Sequence, residues 1–322
     1  MSPLIKVNNL SRYYGNYCAV NNIDFELAVG DILGFLGPNG AGKSTTMQML
    51  SGNLAASEGE ISINGVDLFD QPKLAKKELG YLPETPPLYK DMRVDEYLHY
   101  VAKLHRIHNS ELQFAINNTK KRCGLTEVGQ RLIANLSKGY QQRVGIAQAI
   151  LHSPKVIILD EPTVGLDPIQ IREIRELIVE LGKTHGIILC SHILPEIQAV
   201  CNRVQIINKG NLVFSSNIDE LLQHQSTGEL TVSFSNTPQT EEILALDCVE
   251  HIARKDNNDF ILKCSNTDEL VKASVSNNWG LYKLIPLELS LEQIFVNLTS
   301  TDTADEPGNN NINMDNDSEV AT

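Results

Sequence analysis

Gly37-Pro38-Asn39-Gly40-Ala41-Gly42-Lys43-Ser44-Thr45 follows an apolar run, Ile32-Leu33-Gly34-Phe35-Leu36, and precedes a segment of helical character. That is the strand, loop and helix context in which a G-x-x-x-x-G-K-S phosphate loop works. Glycines at 37, 40 and 42 let the backbone curl so that successive N–H groups face one concavity, and the following helix adds the positive end of its dipole. Such an anion cradle lets Lys43 reach the β- and γ-phosphates of a nucleotide. Ser44 offers its hydroxyl to Mg²⁺, which keeps most of its waters and takes few protein ligands.

Upstream, residues 4–10 and 23–27 alternate apolar and polar, which predicts an amino-terminal pair of half-exposed strands. Between them lies Arg12-Tyr13-Tyr14-Gly15. Tyr14 is either ordinary packing or a platform on which a nucleotide base stacks. Downstream, residues 45–50 carry the first helix, 59–63 read as a strand ending in an Asn64-Gly65 turn, and 79–82 as another short strand. Pro83-Glu84-Thr85-Pro86-Pro87 excludes helix and central strand, so a stiff exposed loop is predicted. From residue 94 to 133 the period turns helical, with Val94, Tyr97, Leu98, Val101 and Leu104 on one face, a helical insert within an α/β domain.

Leu136-Ser137-Lys138-Gly139-Tyr140 opens a further helix with Ser137 as N-cap, and a helix start of this kind is itself an anion site. Val156-Ile157-Ile158-Leu159-Asp160-Glu161 is a continuous apolar run ending in two carboxylates, the pattern of a buried parallel strand delivering acids to the carboxyl edge of a sheet. Asp160 is assigned to the Mg²⁺ shell and Glu161 to general-base attack on water, the division of labour that phosphoryl transfer to water needs. Gly165-Leu166-Asp167-Pro168 is a turn before a helix at 169–181, and the strand at 187–190 ends at Ser191-His192. His192 is either structural or a hydrogen-bond partner of the γ-phosphate. Two short strands around Lys209-Gly210-Asn211 close the first domain near residue 220.

With these motifs in this order, residues 4–220 resemble the ATP-binding subunits of ABC transporters. The resemblance implies a P-loop NTPase core with an antiparallel β subdomain and a helical subdomain at about 86–150. It also implies ATP and Mg²⁺ as cofactors, and a head-to-tail dimer, with an identical chain or a paired ATPase subunit. ATP would lie between the phosphate loop of one protomer and the Ser137/Gly139 helix start of the other. In such sites Tyr14 corresponds to the base-stacking aromatic, Glu161 to the catalytic base, Asp167 to the residue that crosses the dimer and His192 to the γ-phosphate switch. Lys138 and Tyr140 replace the usual Gly and Gln of the signature loop. Glu84 stands where a Gln normally senses Mg²⁺, the attacking water and the membrane partner. Both departures resemble the branch containing sodium-extrusion, multidrug-export and gliding-motility ATPase components.

The 322 residues carry a formal net charge of −13, which argues against a dominant nucleic-acid surface. Six cysteines, at 18, 123, 190, 201, 248 and 264, lack the spacing of a zinc site or disulfide frame. No basic-then-apolar amino terminus is seen, and no apolar run approaches the ~18 to 20 residues that span a bilayer. The expectation is a cytoplasmic chain, peripheral on the cytoplasmic face of the inner (plasma) membrane, whose spanning partners are integral membrane permease subunits. The domain division expected is 1–225 for ATP binding, 228–300 for a small α+β unit of β-α-β-β-α-β, ferredoxin-like order, and 301–322 for a disordered acidic tail. A packing or dimer-contact role for 228–300 stands beside ligand sensing. The rival to the transporter reading is a soluble ABC-type switch acting on ribosomes or DNA, against which the single cassette and the acidic composition speak.

Overall fold

The computed structural model of the chain describes residues 2–218, 226–254, 258–288 and 295–296. The chain begins with a hairpin of β1 (Ile5–Tyr14) and β2 (Tyr17–Leu27), in which Tyr14 and Tyr17 face each other across a turn at Gly15. Both strands run further than their alternation predicts. Register shifts between Val7 and Tyr13 break the two-residue period, so the pattern fades while the pairing continues. β3 (Ile32–Leu36) leads into the phosphate loop and α1 (Lys43–Leu50). β4 (Glu58–Ile63) and β5 (Val66–Asp67) meet at Asn64-Gly65, both at positive φ (50° and 77°), as a tight hairpin turn requires. Then come α2 (Pro72–Ala75) and β6 (Leu79–Leu82), followed by the helical insert of α3 (Val94–Leu104) and α4 (Asn109–Arg122). α5 (Lys138–Ile150), β7 (Val156–Asp160), α6 (Pro168–Gly182), β8 (Gly186–Ser191) and α7 (Leu194–Val200) follow. β9 (Arg203–Asn208) and β10 (Asn211–Asn217) form the hairpin predicted around Lys209-Gly210.

The central sheet has the order β10-β9-β3-β8-β7-β6, parallel except for its antiparallel edge strand β10. The antiparallel sheet β2-β1-β4-β5 covers part of one face. Side chains along each central strand point alternately to two separate cores. Leu33, Phe35, Val156, Ile158, Ile188 and Cys190 pack with the antiparallel sheet and Met47 and Leu50 of α1. Ile32, Leu36, Ile157, Leu159, Ile187 and Leu189 pack on the other face with helices such as α3, α5 and α6. Burial on both faces is why these strands are apolar at every position, and each such side chain contributes about 1.5 to 3 kcal/mol.

Toward the carboxyl end, β11 (Ser226–Phe234), α8 (Thr240–Leu244), β12 (Val249–Arg254), β13 (Asp259–Cys264), α9 (Thr267–Ser276) and β14 (Leu281–Glu288) form a separate antiparallel sheet of order β12-β13-β11-β14. Phe234, Phe260 and Trp279 sit at its core. Residues 290–294 and 297–300 of the last helix expected, residues 256–257 of the turn expected at 256–259 and the tail at 301–322 lie outside the described residues. α7 has no counterpart in the sequence reading. It starts at Ile193-Leu194-Pro195 without a side-chain cap, so the usual start signal is missing.

Candidate active site

β3 stops at Leu36 and the backbone turns at once, with the Ala41 N–H bonded to the Pro38 carbonyl (3.2 Å) and Gly40 and Gly42 at φ 79° and 108°. A Cβ at position 42 would be strained and would lie 2.5 Å from the Ala19 carbonyl oxygen, so only glycine fits. Gly42 is also the N-cap of α1 and supplies no side-chain cap, which leaves first-turn N–H groups for an anion. Lys43 is buried, and its ammonium donates to the carbonyls of Gly37 (2.8 Å) and Pro38 (3.1 Å), so it lies across the loop.

The acidic side is assembled from neighbouring strand ends. β7 and β8 pair in parallel, which brings Asp160-Glu161 beside Ser191-His192. Asp160 closes β7. Glu161 lies just beyond the strand at φ 49°, a left-handed conformation that costs a non-glycine residue about 1 kcal/mol or more. Its N–H bonds the Cys190 carbonyl (2.9 Å). Glu161 Oε1 accepts from the His192 N–H (3.1 Å) and lies 2.8 Å from His192 Nδ1. Glu161 Oε2 and Asp160 Oδ1 are buried without a hydrogen-bond partner among the described residues. Burial pushes the Asp160 carboxyl above its ordinary pKa, the Cys190 thiol opposes by hydrogen bonding, the Glu161 and Glu84 charges push it up again, and Lys43 opposes. Two adjacent carboxylates with orphaned oxygens, one of them on a cleft that Ser44 also lines, are a donor set suited to a hard divalent cation.

The loop and Glu161 border one open cleft of about 410 Å³, while Asp160 is buried at the end of β7 and is not part of its lining. Tyr14, Glu84, Glu161 and His192 line it, with Asn39, Gly40, Gly42 and Lys43-Ser44-Thr45 from the loop. Gly37 and Ala41 form the loop's buried side. Ser137, Gly139 and Asp167 are not brought to this cleft. Ser137 Oγ accepts from the Tyr140 N–H at the start of α5, and Asp167 Oδ1 accepts from the N–H groups of Ile169 (3.0 Å) and Gln170 (2.9 Å) at the start of α6. Gly139 packs so closely on Gln170 that a Cβ would fall 2.4 Å from its amide oxygen. Glu84 also borders a second cleft of about 180 Å³ with Lys138, so the two departures in the family motifs share one neighbourhood.

Three lining residues escaped the sequence reading: Tyr17, Ala19 and Val164. Tyr17 is the cross-strand partner of Tyr14, and reading Tyr14-Gly15-Asn16-Tyr17 as a hairpin turn would have found it. The Arg12 guanidinium lies 4.7 Å from the Tyr14 ring centroid and also donates to the Ala55 carbonyl (3.1 Å), which braces that ring.

The ABC transporter family model matches residues 20–164. The bacitracin transport ATP-binding protein BcrA of Bacillus licheniformis is 35% identical over 307 residues, covering 92% of this chain and 98% of the relative. The lantibiotic transport ATP-binding protein SrtF of Streptococcus pyogenes is 35% identical over 230 residues, 69% of this chain and 97% of the relative. Among solved structures, an ATP binding subunit of an ABC transporter superposes with a TM-score of 0.63 at 32% identity, over 69% of this chain and 92% of that one. With a likeness that runs through nine-tenths of its length, and with the phosphate loop and the Glu161 carboxylate meeting in one cleft, the chain belongs to the ATP-binding subunits of ABC transporters, the ATPases that drive them.

Proposed function

We propose that Glu161 is the general base of ATP hydrolysis in this cleft. The observation that carries this reading is the geometry of its carboxylate: one oxygen is held by His192, and the other is buried and unpartnered on the same cleft as Lys43 and Ser44. The loop N–H groups and Lys43 hold the phosphates, with Tyr14 under the base. Ser44 and Asp160 are the residues that would hold Mg²⁺, with Glu84 reaching its waters, and the ion supplies charge neutralisation on the β- and γ-phosphates. Glu161 takes the proton of the attacking water as the γ-phosphorus–oxygen bond to the β-phosphate breaks, giving ADP and phosphate. His192 holds Glu161 in place and marks the presence of the γ-phosphate.

Ser137, Gly139 and Asp167 act on ATP bound to a second subunit, which is consistent with their place at helix starts away from the chain's own cleft, where Ser137 and Asp167 are exposed and Gly139 is buried against Gln170. The chain works on the cytoplasmic face of a membrane with separate permease subunits. No helix among the described residues is long and apolar enough to cross one. The relatives named for bacitracin and lantibiotic transport favour export of antibiotic-like substrates, whose recognition belongs to the permease, and they do not favour a ribosome- or DNA-bound switch. Residues 228–300 serve as a contact module, and deleting 228–322 is expected to weaken ATP-driven dimerisation or permease binding. A deletion that leaves both intact overturns that assignment.

Glu161→Gln is expected to bind ATP, accumulate as a closed dimer in sizing experiments and hydrolyse ATP slowly. Hydrolysis at the parent rate removes Glu161 as base. Pull-down of this variant with ATP and Mg²⁺ from solubilised membranes is expected to recover a multi-span protein. Recovery of only ribosomes or DNA would move the chain to the rival class.

A further inference from the structure

Glu196, in the first turn of α7, is a carboxylate that the hydrolytic scheme does not use, and it is almost entirely buried at 2% exposure. Among the described residues it has no ion-pair partner, so its charge is balanced only by hydrogen bonds. Both of its oxygens accept from buried hydroxyls. Thr163 Oγ1 donates to Oε1, and Ser191 Oγ donates to Oε2 at 3.0 Å. The Ser191 oxygen also accepts the Ile193 N–H at 3.0 Å, which orients its proton toward Glu196.

These two hydroxyls belong to the segments that carry the reacting groups. Thr163 lies two residues after Glu161, in a turn held by Val164 N–H to the Glu161 carbonyl (3.3 Å) and Leu166 N–H to the Thr163 carbonyl (3.2 Å), and this turn leads to Asp167. Ser191 immediately precedes His192. We infer that Glu196 is a positioning residue: it fastens the Glu161–Asp167 turn to the His192 segment, so that base, histidine and the Asp167 helix start keep one geometry. Charge-assisted hydrogen bonds suit this task because they are shorter and stronger than neutral ones. A glutamine at 196 has the same volume but only one acceptor oxygen, so one of the two hydroxyls loses its acceptor and one link opens.

The inference rests on the assigned roles of Glu161 and His192. Its test measures single-turnover ATP hydrolysis and equilibrium binding of a fluorescent ATP analogue by the full-length chain, with Mg²⁺, for Glu196→Gln, His192→Ala and the double variant. Thr163→Val is the second probe, because it removes one link and leaves the charge in place. Glu196→Gln is expected to lower the hydrolysis rate about tenfold while nucleotide affinity stays within twofold. In the His192→Ala background it is expected to cost little more, since residues acting as a unit are non-additive. Parent-level hydrolysis by Glu196→Gln and Thr163→Val, or losses that multiply with that of His192→Ala, overturns the positioning role. A loss of affinity equal to the loss of rate also overturns it, in favour of a general structural role. Parent-level hydrolysis by His192→Ala itself overturns the histidine assignment and this inference together, whereas an impaired His192→Ala beside an unimpaired Glu196→Gln overturns only the latter.

Discussion

The phosphate loop and the acidic edge face each other across one cleft, yet they are built in opposite ways. The loop is nine consecutive residues whose geometry is local, with its turn closed by Ala41 and Pro38 and the Lys43 ammonium donating two of its three N–H groups to the Gly37 and Pro38 carbonyls. The acidic edge is gathered from β7, β8 and the start of α7. It holds a residue at positive φ, two orphaned carboxylate oxygens and an aspartate pushed toward neutrality by burial and by neighbouring acids. On the proposed function, the loop is ready for phosphate before nucleotide arrives, and the edge carries unfavourable solvation that a bound cation and substrate would relieve. Local bonds fix the loop's shape while its first-turn N–H groups stay open to an anion, whereas the edge holds its open oxygens through contacts between separate segments.

The largest effect expected is on rate. Glu161→Gln should lower kcat by about 10² to 10⁴ with ATP affinity retained, the usual range for a general base, read by phosphate release against equilibrium nucleotide binding. Equal losses in both would erase the distinction between the two sides of the cleft. Gly42→Ala probes the loop. Positive φ and the Ala19 carbonyl at 2.5 Å from the new Cβ should cost about 2 to 4 kcal/mol, seen as a lower thermal midpoint together with lost ATP binding. A variant that melts normally and binds ATP would show the loop to be less rigid than described.

Acidification separates the acidic edge from the rest of the fold. His152 stacks on His105 with ring centroids 3.8 Å apart, and burial, with the His105 charge, pushes its pKa from 6.5 to about 4. Between those values the unfolded chain binds the proton and the folded one does not, so stability falls as pH drops from about 6.5 to 4, by up to about 3 kcal/mol. Asp160 has the opposite sign: its raised pKa means that the folded state gains relative stability as the carboxyl is protonated. Thermal melts from pH 7 to 4 should therefore show a decline that His152→Gln flattens. An unchanged slope in that variant places the acid sensitivity elsewhere. The smallest effect belongs to the base platform, where Tyr14→Ala should weaken ATP binding by about 1 to 2 kcal/mol and Tyr14→Phe should restore it. Equal affinity in all three would leave Tyr14 as packing.

Much of this was legible in one dimension. The loop, the Asn64-Gly65 turn, the Ser137 N-cap and the doubly buried runs at 156–160 and 187–190 follow from residue type and spacing, because each depends on bonds or burial within a few neighbours. The same reading placed Glu161 at the end of a strand but could not show its left-handed backbone. That conformation is held by the Cys190 carbonyl, 29 positions away in sequence. Tyr17 was missed because β1 shifts register before it reaches the turn. Glu84 and Lys138 were visible as separate departures, and only the packing of the loop after β6 against α5 made them neighbours.

The sequence by itself determined the phosphate cradle, the continuous apolar strands at 156–160 and 187–190 and the pair of carboxylates at 160 and 161, since glycine stereochemistry and hydrophobic periodicity are local constraints. Tertiary structure alone decided which oxygen of Glu161 is tied to His192 and which stays free, and that a buried Glu196 joins Thr163 to Ser191. Hydrogen bonds between side chains on different segments depend on where the sheet brings their backbones together, and no spacing rule along the chain carries that information.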